Sequence, residues 1–332
     1  MKLMRKSRPR NQHGLVSFLV TMIMMIVITL IVVGFTQVVN RNRQNALDKQ
    51  LSTQALYAAE SGVNDVVKLI KSNPAGLTAK TTCNNTGYYA SLQPQLTPEV
   101  SYPCVLVNPL PDSLVSSANT ETSSVLPLKP VDSSGAPVAL SKLIFEWSSA
   151  VDNGDASGCS ASLGKFTPDM PATCTFGLLR ADIFNGTGLD PVTMANNTST
   201  YYLHPLKTGE VSQPYGVGKG IVIGAHCTNV SCVGTITNLP AGAYYIRLST
   251  IYRDTKSVKI SGLTSAGQPS RFLGQIKVDS TGRAVDVLRR IQVRLSVDSY
   301  NNQSPTAALN SSSTVCKRLV MGAAPSYVSS CP

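Results

Sequence analysis

The side chains of this chain best suited to covalent or metal chemistry are eight cysteines and three histidines. The cysteines fall in sequence-adjacent pairs: Cys83 with Cys104, Cys159 with Cys174, Cys227 with Cys232, and Cys316 with Cys331. Disulfides require an even count and an oxidising compartment. Structural zinc requires two close pairs or a Cys/His cluster. His226 stands beside Cys227 and Cys232, but no second close pair follows, so the spacing favours bridges. Spacing leaves many connectivities open, and nearest-neighbour pairing is the expectation. Each bridge would close a short loop and stabilise by roughly 2–4 kcal/mol where unstrained.

Other chemistries find little support. No G-x-S-x-G, H-E-x-x-H or phosphate-binding loop occurs, so we expect a protein that is not an enzyme, with no cofactor and no bound metal. Val151-Asp152-Asn153-Gly154-Asp155 is rich in oxygen donors, but the full calcium-loop pattern with its closing Glu is absent, and an Asx-type turn is the simpler reading. Asn185 and Asn196 each open an Asn-x-Ser/Thr sequon, which marks a polar surface. Tyr244, Tyr245, Arg247, Tyr252 and Arg253 are close in sequence, and Arg289, Arg290 and Arg294 follow later. A nucleic-acid footprint needs a contiguous basic face, whereas strand alternation sends neighbouring side chains to opposite faces. Core tyrosines with solvated arginines are therefore expected.

The elements that position these residues begin with residues 15–39, LVSFLVTMIMMIVITLIVVGFTQVV, which carry no charge. As a helix this run is about 37 Å long at roughly 1.5 Å per residue, enough to cross a bilayer core of about 30 Å with tilt. It is too long for a secretory signal core and lacks a small-x-small cleavage site after it. In lipid only a helix satisfies its backbone. Lys2, Arg5, Lys6, Arg8 and Arg10 precede it, and no acidic residue occurs before Asp48. The excess of positive charge places this leader in the cytoplasm and everything from about residue 40 outside. Subtracting these five charges from the net +11 leaves +6, ordinary for an exported domain and weak as a nucleic-acid signal.

The helix continues beyond the membrane. Leu47, Leu51, Ala55, Ala59, Val63, Val67 and Ile70 recur every three or four residues, the stripe of an amphipathic helix. Lys68 and Lys71 suit its C-terminus, and Pro74 ends it. Glu60 reads as a solvated helix residue, since a pair with Lys68 would contribute only about 0.3–0.5 kcal/mol. Residues 73–140 are broken by Pro94, Pro98, Pro103, Pro109 and Pro111 and read as loops and short edge strands. Strands are expected at Leu140–Trp147, Cys174–Phe184, Gly220–Ala225 and Tyr244–Tyr252. A hairpin is expected from Phe272–Val278 and Val285–Val297 around a Ser280-Thr281-Gly282 turn. The simplest architecture is α+β: a long N-terminal transmembrane and amphipathic helix packed on an antiparallel sheet of about five or six strands, stabilised by disulfides. A subdomain or long insert is expected around residues 73–240. The segments are then a leader over 1–14, a transmembrane helix over 15–39, an amphipathic extension over 40–72 and an extracytoplasmic β-rich domain over 73–332.

The basic leader ending in Gly14, the uncharged anchor from Leu15 and the continuing helix together resemble a type IV prepilin. QLSTQALYAAESGVNDV, residues 50–66, resembles the AAE-containing helix of PilX-type minor pilins. VLRRIQVRLSV is loosely similar to the closing strand of that group, and the Cys316 and Cys331 pair resembles the bridge bounding the C-terminal loop of many pilins. The resemblance covers residues 10–70 and implies a pilin-like fold. It also implies cleavage by a prepilin peptidase between Gly14 and Leu15. Further implied are N-methylation of Leu15, packing of the stalk against other pilin subunits, and a place first in membrane lipids and then in an extracellular pilus. His13 stands where Lys or Arg is usual. Leu19 occupies the fifth mature position, where major pilins carry a Glu thought to neutralise a neighbouring N-terminal amine. Burying an unpaired amine is costly, so the departure fits a rare subunit, at a tip, rather than an endlessly repeated one. The implied roles are assembly priming, adhesion to a host surface or DNA uptake. The alternative is an uncleaved single-pass surface protein with a binding domain outside.

Overall fold

The structure, a computed structural model, describes residues 13–151, 154–160, 173–185, 197–207, 215–217, 220–237, 239 and 244–296. Most of the leader, Asp152, Asn153, Asn196, the tail from Asn301, and the Cys316 and Cys331 pair lie outside these residues. One long helix, α1 (His13–Ser72), precedes the strands. These are β1 (Val100–Asn108), β2 (Ser113–Ser116), β3 (Ser124–Leu128), β4 (Pro130–Val131), β5 (Leu140–Ser149), β6 (Leu178–Asn185), β7 (Thr198–Leu206) and β8 (Tyr215–Val217). They continue as β9 (Gly220–Cys227), β10 (Ser231–Thr237), β11 (Tyr244–Ile251), β12 (Thr255–Thr264), β13 (Arg271–Phe272), β14 (Gln275–Ala284) and β15 (Val287–Ser296). The chain divides into two compact units. One holds the described residues of Met1–Ile70, Thr82–Val105 and Asp279–Gln292, and the other those of Lys71–Thr81, Leu106–Val278 and Val293–Pro332.

The first unit is a helix on a small sheet. No Pro or Gly interrupts α1 between Gly34 and Gly62, and Pro74 follows its end in a short 3-10 turn whose start is capped by Asn73 Oδ1 accepting Gly76 N–H at 3.3 Å. Above residue 54 the helix buries Ala55, Ala58, Ala59, Val63, Val66 and Ile70, the i, i+3, i+4 stripe of an amphipathic helix. The expected stripe holds at Ala55, Ala59, Val63 and Ile70, but Val66 is buried where Val67, half-buried, was expected, and Leu47 is 58% exposed, because the sheet does not extend down to it. That sheet is three-stranded, in the order β1-β14-β15. Small residues let helix and sheet approach closely. Gly282 of β14 lies against the Ala55 carbonyl and the Ala59 nitrogen, and Gly62 lies against Ser280 and the Tyr102 ring. Tyr102 on β1 donates its hydroxyl to Asp65 on α1 at 2.5 Å. Burial, reinforced by Asp65, holds that phenol well above its ordinary range, so it stays a donor. Cys83–Cys104 ties the segment after the helix to β1.

The expected terminal hairpin forms as β14 and β15, but its turn is displaced. Ser280, Thr281 and Gly282 lie within β14, and the chain reverses at Val285-Asp286. Gly282 serves helix contact rather than turn geometry. Val285 adopts φ 56°, a left-handed conformation that is a strong outlier for a β-branched residue. Val285→Gly is therefore expected to stabilise this unit by about 1 kcal/mol, read as a rise in the denaturation midpoint; a fall would show that Val285 packing outweighs its strain.

The second unit is a ten-stranded sheet in the order β2-β12-β5-β10-β9-β7-β6-β11-β3, with β8 pairing β9 outside this path, and a two-stranded ribbon of β13 and β4 beside it. The registered pairs of the ten-stranded sheet are antiparallel except β7 with β9. Its two edge strands, β2 and β3, are consecutive in sequence, and Ser116 Oγ on one hydrogen-bonds Ser124 Oγ on the other at 2.9 Å. Thr250 and Thr255 donate backbone N–H groups to the Asn119 and Ala118 carbonyls in the link between them. The sheet thus curls into a near-barrel, which removes most of its exposed edge. Its interior is filled by Leu114, Leu143, Phe145, Trp147, Leu203 and Ile260, all fully buried, among others. Trp147 Nε1–H, which would be costly to bury unpaired, donates to the Gly177 carbonyl at 3.0 Å.

This arrangement corrects one expectation. The strands at 140–149, 178–185, 220–227 and 244–251 do not form the sheet under the helix; they belong to the near-barrel, and the helix-bearing sheet has three strands rather than five or six. Their alternation shows one buried face but not which core receives it. The β-branched run starting at Cys174 becomes regular only at Leu178, since Cys174 is bridged to Cys159 and the Thr175 carbonyl accepts from Ser149 Oγ at 2.8 Å.

Candidate functional site: the N-terminal helix

The first half of α1 is long and apolar enough to cross a membrane, and none of its apolar stretch is buried within the protein. Phe18, Met22, Met25, Leu30, Val33 and Phe35 are among the side chains that stand half or more exposed. Such a surface exceeds what a water-soluble domain leaves uncovered. Its three threonines bond back to the helix. Thr21 donates its hydroxyl to the Phe18 carbonyl at 2.8 Å, Thr29 to Ile26 at 2.8 Å and Thr36 to Val32 at 2.7 Å. In hydrocarbon this back-bonding leaves no hydroxyl unpaired on these three residues. A side chain added at Gly34 would meet nothing within 4 Å, which leaves the helix face there open to close approach by a second helix. Gly14 and Leu15 lie in the first turn of α1, which contains no acidic residue, and Leu19 is half exposed.

The cysteine pairs fall as nearest neighbours for six of the eight: Cys83–Cys104, Cys159–Cys174 and Cys227–Cys232 are bridged. The last pair sits directly opposite across the β9–β10 ladder. His226 therefore has no thiolate neighbour with which to bind zinc. Asp155 accepts the backbone N–H of Ser157 at 2.8 Å, an Asx turn, and contacts with Ser157 hold its carboxyl below the usual range. Among the described residues no three His, Cys, Asp or Glu side chains come together as a metal site. Glu60 is exposed.

The basic and aromatic residues are dispersed and engaged. Tyr244 is buried and Tyr245 stacks on Phe184 with ring centroids 5.7 Å apart. Arg247 donates through Nε and Nη2 to Asp182 Oδ2 at 2.9 and 2.6 Å. Arg180 Nε and Thr200 Oγ1 donate to Oδ1 of the same carboxylate at 3.0 and 2.8 Å. The Arg180 guanidinium also lies over the Tyr202 ring, 5.9 Å from its centroid. Arg290 pairs with Asp279, Arg289 bonds Ser52, and Arg294 donates to the Ser113 carbonyl. Sequence reasoning missed Asp182, whose only signal was a charge inside the apolar run LLRADIF. It also missed the Gly282 contact, although a glycine inside a strand pattern signals close backbone approach.

No family model matches this chain, and no curated protein or solved structure matches it.

Proposed function

We propose that this protein is a minor pilin of the PilX type, a structural subunit that inserts in the cytoplasmic membrane through residues 15–39, is trimmed after Gly14 and joins a filament through its stalk. The observation that carries this reading is the single uninterrupted helix: its lower part presents an uncharged, largely apolar surface whose three threonines bond back to the helix, and its upper half is fixed to a small sheet through alanines and glycines. Such a helix transmits the position of a lipid-embedded stalk directly to an extracytoplasmic domain. In lipid, stalk association rests on van der Waals fit and close approach at small residues such as Gly34. The ten-stranded near-barrel is then the displayed part, serving assembly priming, adhesion or DNA uptake.

The test is the mass and N-terminal sequence of the protein recovered from sheared surface filaments. A chain starting at N-methylated Leu15 is expected. An intact leader, with the protein confined to membranes, would overturn the reading. The second reading, an uncleaved anchor carrying a surface binding domain, is favoured by two departures from the prepilin pattern, Leu19 in place of the Glu and His13 in place of Lys or Arg before Gly14.

A further inference from the structure

One end of the helix-bearing unit combines exposed apolar side chains with exposed basic ones. Ser280 of β14 lies against Gly62, and Gly282, two residues on, lies against Ala55 and Ala59. The strand therefore descends α1 toward its N-terminus. Two strand residues advance about 7 Å, which a helix covers in four to five residues. The Val285-Asp286 turn accordingly reaches the level of helix residues 48–51. Arg289, on the returning strand, donates Nε–H to Ser52 Oγ at 2.7 Å, in agreement with that level. Burial of the helix stripe stops at the same height, since Ala55 is fully buried, Leu51 half-buried and Leu47 exposed. The Val285 N–H donates to the Glu99 carbonyl at 2.9 Å, which brings the turn containing Leu96 alongside.

This end therefore presents Leu47, Leu96, Val285 and Leu288, exposed by 58, 43, 52 and 60%. Arg41, Arg43, Lys49, Arg283 and Arg289 are exposed with them, against Asp48, Glu99 and Asp286. Five positive charges less three negative leave +2, with Arg290 already paired to Asp279. From Val39, where the uncharged run ends, to residues 48–51 is about 13–18 Å along the helix. The headgroup layer fills about 5–7 Å of that. A run of about 37 Å in a core of about 30 Å must tilt, and tilt lowers one side of the unit by several ångströms. Val285 adds a separate observation: a strained turn position that suits glycine holds an exposed apolar side chain, and strain kept in this way marks sites of function.

We propose that this end of the unit rests on the surface of the bilayer that α1 crosses. Leu96, Val285 and Leu288 enter the interfacial layer, and Arg283, Arg289 and Lys49 meet anionic headgroups. The contact fixes the direction of tilt and the rotation of the stalk before assembly. This inference rests on the reading of α1 as membrane-spanning.

The test uses the full chain reconstituted in vesicles of phosphatidylcholine, with or without phosphatidylglycerol, carrying Leu288→Trp or, as a second position, Leu96→Trp. Trp147, the single native Trp, is fully buried and gives a constant background for subtraction. Blue-shifted difference emission, with loss of more than half of it to lipids brominated high on their chains, is expected for both variants. Arg283→Glu with Arg289→Glu should reduce that quenching in phosphatidylglycerol vesicles. Emission of a water-exposed indole at both positions, in protein that still floats with vesicles after an alkaline wash, would overturn the inference alone. A blue shift that ignores brominated lipid and grows with protein density would overturn it in favour of a second copy at this end. Failure to float at all would instead overturn the membrane-spanning reading.

Discussion

Gly282→Val is expected to detach α1 from its sheet and to destabilise the helix-bearing unit by about 3 kcal/mol or more, at or beyond the upper end of overpacking costs. A Cβ at this position meets the Ala55 carbonyl oxygen and the Ala59 nitrogen well inside van der Waals contact. Both are backbone atoms of a regular helix, so no rotamer change can relieve the clash, and helix and strand must separate. Separation uncovers Ala55, Ala59 and Val63 and strains the Tyr102–Asp65 hydrogen bond. Amide hydrogen exchange should show lost protection in residues 100–105 and 279–292 while the β5–β10 ladder keeps its own. Unchanged protection over 279–292 would show that the contact tolerates a side chain and that the packing argument is wrong. Gly62→Ala makes a useful contrast. Its methyl group meets Ser280 Oγ at 2.5 Å and the Tyr102 ring at 3.0 Å, side-chain atoms that can shift. Ser280 Oγ has no hydrogen-bond partner among the described residues, so moving it breaks nothing, and a loss of only about 1 kcal/mol is expected.

Asp182→Ala is expected to destabilise the near-barrel by about 2–4 kcal/mol. The carboxylate is 1% exposed and accepts hydrogen bonds from Thr200, Arg180 and Arg247. Removing it leaves two guanidiniums close together on the sheet face with no counter-charge. Breaking a fully buried pair costs about 3–5 kcal/mol; the figure is lower here because Arg180 and Arg247 remain 36 and 26% exposed and water compensates part of the loss. The network lies across β7, β6 and β11, where Thr200, Asp182 and Arg247 are cross-strand neighbours, so it also fixes register among three strands. Chemical denaturation of the single variants and of Asp182→Ala with Arg247→Met measures this directly. The double variant should recover part of the loss, because it removes the uncompensated charge along with the carboxylate. A double variant as unstable as the sum of its singles would show that the residues act independently.

The sequence was most legible where a pattern is local. The continuous helix from the leader to Pro74 follows from an uncharged run, a three-to-four residue stripe and the absence of interior Pro or Gly, all set by contacts within a few residues. The bridges Cys83–Cys104, Cys159–Cys174 and Cys227–Cys232 were readable because each joins neighbours in the chain. The strand positions at β5, β9 and β11 were readable from alternation. The edge strands expected within residues 73–140 include β1, longer than expected at Val100–Asn108; β7, β10 and β12 escaped notice because Pro, Gly and polar residues dilute their pattern, and ladder hydrogen bonding decides them.

By itself, then, the sequence determined a membrane-compatible stalk, its extension and a disulfide-tied β-rich body, because hydrophobic length and periodicity act over a few residues and need no partner to be identified. Tertiary structure alone decided the rest. It distributed the strands between a three-stranded sheet under the helix and a ten-stranded near-barrel, moved the hairpin turn from Ser280-Thr281-Gly282 to Val285-Asp286, and buried Asp182 between two arginines. Each of these depends on which distant segment pairs with which. Alternation tells a strand which face to bury but not against what, and only the closed set of backbone hydrogen bonds settles that choice.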